Sequence, residues 1–335
     1  MAITMEDIKK LRAMTGAGLA DVKKALTEAD GDFEKAQEII RQKGQAIAAK
    51  RSDRETSNGC VCVKSENGFS AIIALKCETD FVANGADFVA LANDIIAAAV
   101  ANKCQTLDEV KALPLGEGTV QDAVVARSGI TGEKMELDGY VFIEGENVEV
   151  YNHMNKNTLC TMVQTNKPAA EQAHAIALQV ASMKPVALDE SSVPQDVKDA
   201  ELKVAIEKTK LEQVDRAINV ALTKFCKTEG VSLGKDNYYA SNEEHINEAV
   251  AKKMITEEQA AKVRQIKEEV PATVQINENM VQNIAQGRMK KFYKDSCLLN
   301  QDYCMDGSMT VAEFLKAADK ELTVVNFKRF SLVAD

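Results

Sequence analysis

Apolar residues recur at helical spacing through Gly44 and change to a period of two at Cys60, so the chain opens as helices and continues as strands. Thr4 can cap a first helix, with Glu6 and Asp7 in its opening turn and Ile8 and Leu11 on its buried face. Thr15-Gly16-Ala17-Gly18 breaks it, because glycine adopts backbone angles closed to other residues. A second helix buries Leu19, Val22, Ala25 and Leu26. After Asp30-Gly31, Asp32 caps a third, which carries Phe33, Ala36, Ile39 and Ile40 and is predicted to end at Gly44. The polar, basic run from Lys50 to Ser57 reads as a flexible tether.

Cys60 to Val63 and Phe69 to Leu75 are strand-like, and Asn67-Gly68 between them is a strong hairpin signal. A helix over 87–103 follows, with Phe88, Leu91, Ala92, Ile95, Ile96, Ala99 and Val100 in one broad apolar stripe, and then a weaker helix over 119–128. Strand, turn, strand and helix recur: Val148 to Met154 and Thr158 to Thr165, then a helix opened near Pro168, lined by Ala173, Ile176, Ala177 and Val180, and stopped by Lys184-Pro185. The similarity of the two halves rests on element order.

Between Ser191 and Val270 the pattern becomes polar and helical. Val197, Val204, Leu211, Ile218 and Phe225 are one heptad apart, with Ala200, Val214 and Ala221 at the companion position and Glu207 interrupting it. This predicts a coiled-coil arm that turns at 227–242 and returns through Ile246, Ala249 and Val250 and a helix opened by a Thr256-to-Gln259 capping box. Pro271 closes it. A helix over 277–294 and a strand over 322–332 end the pattern. The expected organisation is α+β: a three-helix module at 1–45, a linker at 46–58, a core subdomain at 59–138, a second core subdomain at 139–190 and 271–335, and an inserted antiparallel coiled-coil hairpin at 191–270.

Composition narrows the function. A net charge of -10 over 335 residues disfavours sequence-independent nucleic-acid binding, which needs a basic surface, and favours a protein partner. The Met-Ala-Ile-Thr opening lacks the parts of a secretory signal and no apolar run reaches membrane-span length, so a cytoplasmic protein with no membrane partner is expected. Eight cysteines without a C-x-x-C pair signal neither zinc nor redox chemistry. Cys60 and Cys62 share one face of a strand and read as buried small hydrophobes.

Phosphate-loop, dinucleotide, nucleophile-elbow and zincin motifs are all missing from the sequence, so no catalytic residue, cofactor or metal is expected. The three histidines stand apart, at 153, 174 and 245. The cluster Arg288, Lys290, Lys291 and Lys294 at a helix C-terminal end suits the helix dipole and a partner contact equally. The most unusual segment is Glu78-Thr79-Asp80-Phe81-Val82-Ala83, where the chain leaves a buried strand and places an acid beside a large aromatic. From local physics alone, Thr79 caps a turn and Phe81 packs under it; the competing reading is an aromatic anchor for a partner.

Leu11-Arg12 with Thr15-Gly16-Ala17-Gly18-Leu19, then Asp21 and Lys23-Lys24-Ala25-Leu26, resembles the opening module of the elongation factor Ts family. Thr79-Asp80-Phe81-Val82-Ala83, Tyr151-x-His153, Ala181 to Pro185, and Gly287-Arg288-Met289-Lys290-Lys291-Phe292 are similar to further motifs of that family, in the same order. The resemblance implies a ubiquitin-associated-like N-terminal module, a two-subdomain core and an inserted coiled-coil hairpin. It also implies nucleotide exchange on GDP-bound elongation factor Tu without covalent chemistry. In that picture Thr79, Asp80, Phe81, Val82 and Ala83 form the tip that disturbs the partner's magnesium and phosphate site. Arg12, Gly16, Gly18 and Leu19 belong to the module that grips the nucleotide-binding domain, and His153 to a second contact region. Asn84-Gly85 departs from the family, whose members more often carry a basic and then a polar residue there. The rival reading is a scaffold protein that binds through its module and coiled coil without exchange, and the coiled coil is also a candidate surface for self-association. An acid-base enzyme using Asp80 with His153 is a third.

Overall fold

The hairpin signal at Asn67-Gly68 is realised as a two-residue turn with both φ angles positive, 52° and 71°, the geometry that matches strand twist. The structure, a computed structural model, describes residues 3–332; the Met-Ala opening and the last three residues, included in the expected first and last segments, lie outside them. It divides into two compact units, one comprising the chain up to Leu188 together with the part from Leu298 on, the other Asp189–Cys297.

The first unit opens with helices α1 (Met5–Thr15), α2 (Leu19–Glu28) and α3 (Phe33–Lys50). Thr4 and Asp7 form a reciprocal capping box, Gly16 closes α1 in the left-handed region at φ 67°, and Ile8, Leu11, Val22, Ala25, Leu26 and Ala36 make a small core. Gly44 does not end α3 as expected. It is buried where α3 crosses α7 (Val120–Thr131), and a Cβ on Gly129 of α7 would lie 2.5 Å from the Gly44 Cα. The glycine pair is there for close backbone approach, and it lets α3 continue to Lys50 and dock on the core. The expected tether is shortened from both ends and tied down, because Arg51 and Arg54 bind Glu78 at 2.9 and 2.8 Å.

Strands β1 (Asn58–Glu66), β2 (Phe69–Cys77) and β3 (Met135–Glu144) form one antiparallel sheet in the order β1-β2-β3; β4 (Val148–Asn152), β5 (Leu159–Thr165) and β6 (Val324–Ser331) form another in the order β6-β5-β4. One face of the first sheet, with Cys60, Cys62, Ile73, Leu75 and Leu137, packs under α5 (Ala86–Ala101) through Phe88, Ile95 and Ile96, joined by Val110 of the short α6 (Leu107–Ala112). Its other face, with Val61, Ile72, Ala74 and Ile143, meets Cys160 and Met162 of the second sheet. The far side of that sheet, through Val163, packs against Ile176, Ala177 and Val180 of α8 (Ala170–Met183). The layers are helix, sheet, sheet, helix. Burial on both faces is why β2 reads as an almost unbroken apolar run.

The second unit is helical: α9 (Gln195–Glu229), α10 (Glu243–Ala251), α11 (Glu257–Thr273) and α12 (Glu278–Ser296). The Thr256–Gln259 capping box is present. Pro271 lies inside the last turn of α11, which ends two residues further on at Thr273. Helix α12, expected in the second core subdomain, groups with α9: Arg288 binds Glu212 at 2.5 Å and Lys210 binds Glu278 at 2.9 Å, which moves the boundary of the insertion from 270 to 297. The heptad seam is covered only in its second half. Ile218, Leu222 and Phe225 pack against α10 and α11, while Val204 and Leu211 are 58% and 66% exposed.

Candidate functional site

Leaving β2 at Cys77, the chain turns through Glu78 into a single helical turn, α4 (Asp80–Ala83). The Thr79 hydroxyl accepts from the Val82 N–H at 3.4 Å and donates to Glu133 at 2.6 Å, while the Thr79 N–H donates to the other Glu133 oxygen at 3.1 Å. Glu133 directly follows Gly132, the left-handed cap of α7. The start of the turn is therefore pinned to the end of a core helix. At its other end the Asn84 side chain donates to the Asp80 carbonyl at 2.8 Å, and Gly85 opens α5. The Asn84-Gly85 flank thus caps the turn and opens the next helix.

A one-turn helix cannot bury every side chain. Val82 and Ala83 take the inward positions against the first core, and Phe81 is left 87% exposed beside exposed Asp80. Thr79 caps the turn as local physics predicts. Phe81 does not pack under it. Covering a phenylalanine is worth about 1.5–3 kcal/mol, and the fold forgoes that here.

Beneath the turn, Glu78 is only 13% exposed and accepts from the Lys134 N–H at 2.6 Å as well as from Arg51 and Arg54. Burial opposes its ionisation, but the Lys134 backbone hydrogen bond and the guanidinium groups of Arg54 and Arg51 outweigh it and hold the carboxyl at about 2. The carboxylate clamps the segment after α3, the start of β3 and the base of the tip together.

Asp80 and Ala83 also line a cavity of about 660 Å³, shared with Asn58 and with Asn155, Lys156 and Asn157 from the loop after β4. That loop begins at His153, whose Nδ1 is 3.2 Å from the Tyr151 hydroxyl. His174 packs edge-on to the same tyrosine at 5.5 Å between ring centres and binds Glu149 at 2.9 Å. His245 belongs to the second unit, on Tyr238 and Ser241. The loop after His153 and the tip thus meet at one cavity.

Arg12, Gly16, Gly18 and Leu19 cluster at the turn between α1 and α2, and Leu19 is 50% exposed. A Cβ on Gly16 would be 3.3 Å from Ile130 in the last turn of α7, so this turn sits by the helix end that leads to Glu133. Glu133 and Gly129 carry no signal in the sequence, and Glu78 is marked there only as the first residue of the tip segment. Glu133 stands 54 residues from Thr79, and nothing in its own neighbourhood marks it. Cys60 and Cys62 are buried with sulfurs 3.5 Å apart. Among the described residues no group of three or more His, Cys, Asp or Glu could hold a metal ion, and no helix is long and apolar enough to cross a membrane.

A family model described as Elongation factor TS matches residues 78–255 and 239–334. Over the full length of both chains, the protein is 57% identical to Elongation factor Ts of Phocaeicola vulgatus across 337 residues, 57% to that of Bacteroides fragilis across 338, and 56% to that of Parabacteroides distasonis across 337. An α+β fold with an N-terminal three-helix module and a long helix, matched in this way, defines the class as a translation elongation factor. The chain belongs to the elongation factor Ts family.

Proposed function

We propose that the chain promotes release of GDP from elongation factor Tu, with Asp80 and Phe81 as the part that enters the partner beside its magnesium site. Membership of the family supports the general role of exchange factor. The observation that carries the finer reading is the 87% exposure of Phe81 on a turn fixed by the Thr79–Glu133 pair. An exposed aromatic on a rigid support binds without paying to be ordered first.

A P-loop GTPase holds GDP through phosphate contacts and a coordinated magnesium ion, so a side chain that displaces either loosens the nucleotide. Asp80 and Phe81, backed by Val82 and Ala83, supply that displacement. Arg12, Gly16, Gly18 and Leu19 supply a second grip on the nucleotide-binding domain, and His153 with the loop after it a third contact. By linkage, nucleotide weakens the factor's hold as much as the factor weakens nucleotide's, and GTP then releases it. No covalent step is required, and the place of action is the cytoplasm, where translation runs.

The test is the release of a fluorescent GDP from purified elongation factor Tu with and without this chain. Acceleration at micromolar concentration is expected, and its absence contradicts the proposal.

A further inference from the structure

Helix α9 is covered on opposite faces in its two halves. In the first half Ala205 and Thr209 are buried, and the Ala205 carbonyl accepts from Arg288 of α12 at 3.5 Å. In the second half Leu222 is buried among residues of α10 and α11, and Glu229 accepts from Lys262 at 2.9 Å. Eleven residues make three helical turns to within about 20°. Arg216 and Val220 therefore continue the face of Ala205 and Thr209, the face that α12 occupies. Helix α12 begins at Glu278, which pairs with Lys210, so it stops before Arg216. Among the described residues no helix of this unit continues the track past that point; the Asn237 side chain from the turn after α9 donates to Asn219 and to the Thr223 hydroxyl at 3.2 Å along one wall.

The track is a shallow groove of about 420 Å³ lined by Arg216, Asn219, Val220, Thr223, Lys224 and Lys227. Val220 at its centre is 65% exposed. Positions 216–228 hold three cations and no acid, in a chain of net charge -10. Among the described residues none of the three cations is in an ion pair. Cation, apolar residue and cation thus stand at i, i+4 and i+8, about 12 Å from end to end.

We propose that this groove binds an acidic amphipathic helix of a protein partner, with carboxylates two turns apart meeting Arg216 and Lys224 and an apolar side chain between them seated on Val220. The spacing selects a helix, because acid-x3-apolar-x3-acid on one helical face has the same pitch as the groove. A nucleic-acid backbone carries a charge at every nucleotide and would set phosphates against Val220 with no cation to meet them. The proposal stands independently of the exchange activity.

The experiment titrates the full chain with a fluorescein-labelled synthetic helix carrying Glu-x3-Leu-x3-Glu on one face, with an analogue in which both Glu are Gln, and with a twenty-nucleotide single-stranded RNA. The acidic helix is expected to bind at least tenfold more tightly than the Gln analogue and to lose at least tenfold on R216E/K224E. That variant should in turn gain binding to a Lys-x3-Leu-x3-Lys helix, which shows that it is folded. No binding of the acidic helix at millimolar concentration, equal binding of the Gln analogue, or indifference to R216E/K224E overturns the proposal. So does displacement of the helix by RNA that binds more tightly through the same two cations.

Discussion

Glu133 holds Thr79 with both carboxylate oxygens, one on the hydroxyl at 2.6 Å and one on the backbone N–H at 3.1 Å, and so fixes the start of the turn that presents Asp80 and Phe81. Removing it with Glu133→Ala leaves a half-buried N–H without its acceptor and frees the turn. We expect stability to fall by about 1–2 kcal/mol and stimulated GDP release per folded molecule to fall several-fold. Glu133→Gln, which keeps one acceptor, should lie between. Urea unfolding and stopped-flow release on the same preparations check this, and unchanged release with Glu133→Ala would show that the pin does not position the tip.

Glu78 makes stability depend on acid. Its folded carboxyl stands at about 2, below the unfolded value of about 4.3, so the unfolded state takes up the proton first. The contribution is fully present above the unfolded value and is lost as pH falls through about 2. With Arg54 largely solvent-exposed, it is on the order of 2 kcal/mol. The stability gap between wild type and Glu78→Gln, measured by urea unfolding, should be widest near pH 7 and should narrow steadily below pH 4. A gap that is constant from pH 7 to pH 3 would contradict the clamp.

Gly129 lets α3 lie against α7, and a Cβ there would meet the Gly44 Cα at 2.5 Å, with only backbone to give way. Gly129→Val should cost about 1–3 kcal/mol and free the N-terminal module. Trypsin should then cut between Lys50 and Arg54 many times faster than in wild type. Equal cleavage rates would mean that the module is not held by this crossing.

Leu19 is half exposed at the α1–α2 turn, and its loss removes exposed apolar surface without opening a cavity. Leu19→Ala should weaken binding to elongation factor Tu about threefold to tenfold with no change in melting temperature. Isothermal titration calorimetry reads the first and a thermal scan the second. A lowered melting temperature with unchanged affinity would return Leu19 to the module's core.

Much of the fold was legible where pattern and environment agree. The Asn67-Gly68 hairpin, the stripe from Phe88 to Val100 and the Thr256 capping box are all local signals, and all three formed. Strand β3 escaped because Asp138 is an extra residue in its pairing with β2, where the register shifts between Ala74 and Leu75. Such a bulge interrupts the alternation by which a strand is read: Met135 and Leu137 face the first core, and Tyr140 and Phe142 return to it only after the slip. Gly44 reads as a stop because a glycine needed for close approach looks in sequence like one needed for a turn. The heptad of α9 reads as one seam, but its partners change sides halfway along. At the tip, the Thr79 cap was visible locally, whereas the exposure of Phe81 follows from a turn too short to bury it, and the Glu133 support comes from a distant part of the chain.

In the proposed mechanism Phe81 serves the partner contact and not the core. Wild type and Phe81→Ala should be compared for release of fluorescent GDP from elongation factor Tu, at matched concentrations of folded protein and with melting temperatures measured alongside. Stimulated release should fall about tenfold or more with the melting temperature unchanged. A lowered melting temperature with release per folded molecule unchanged would contradict it.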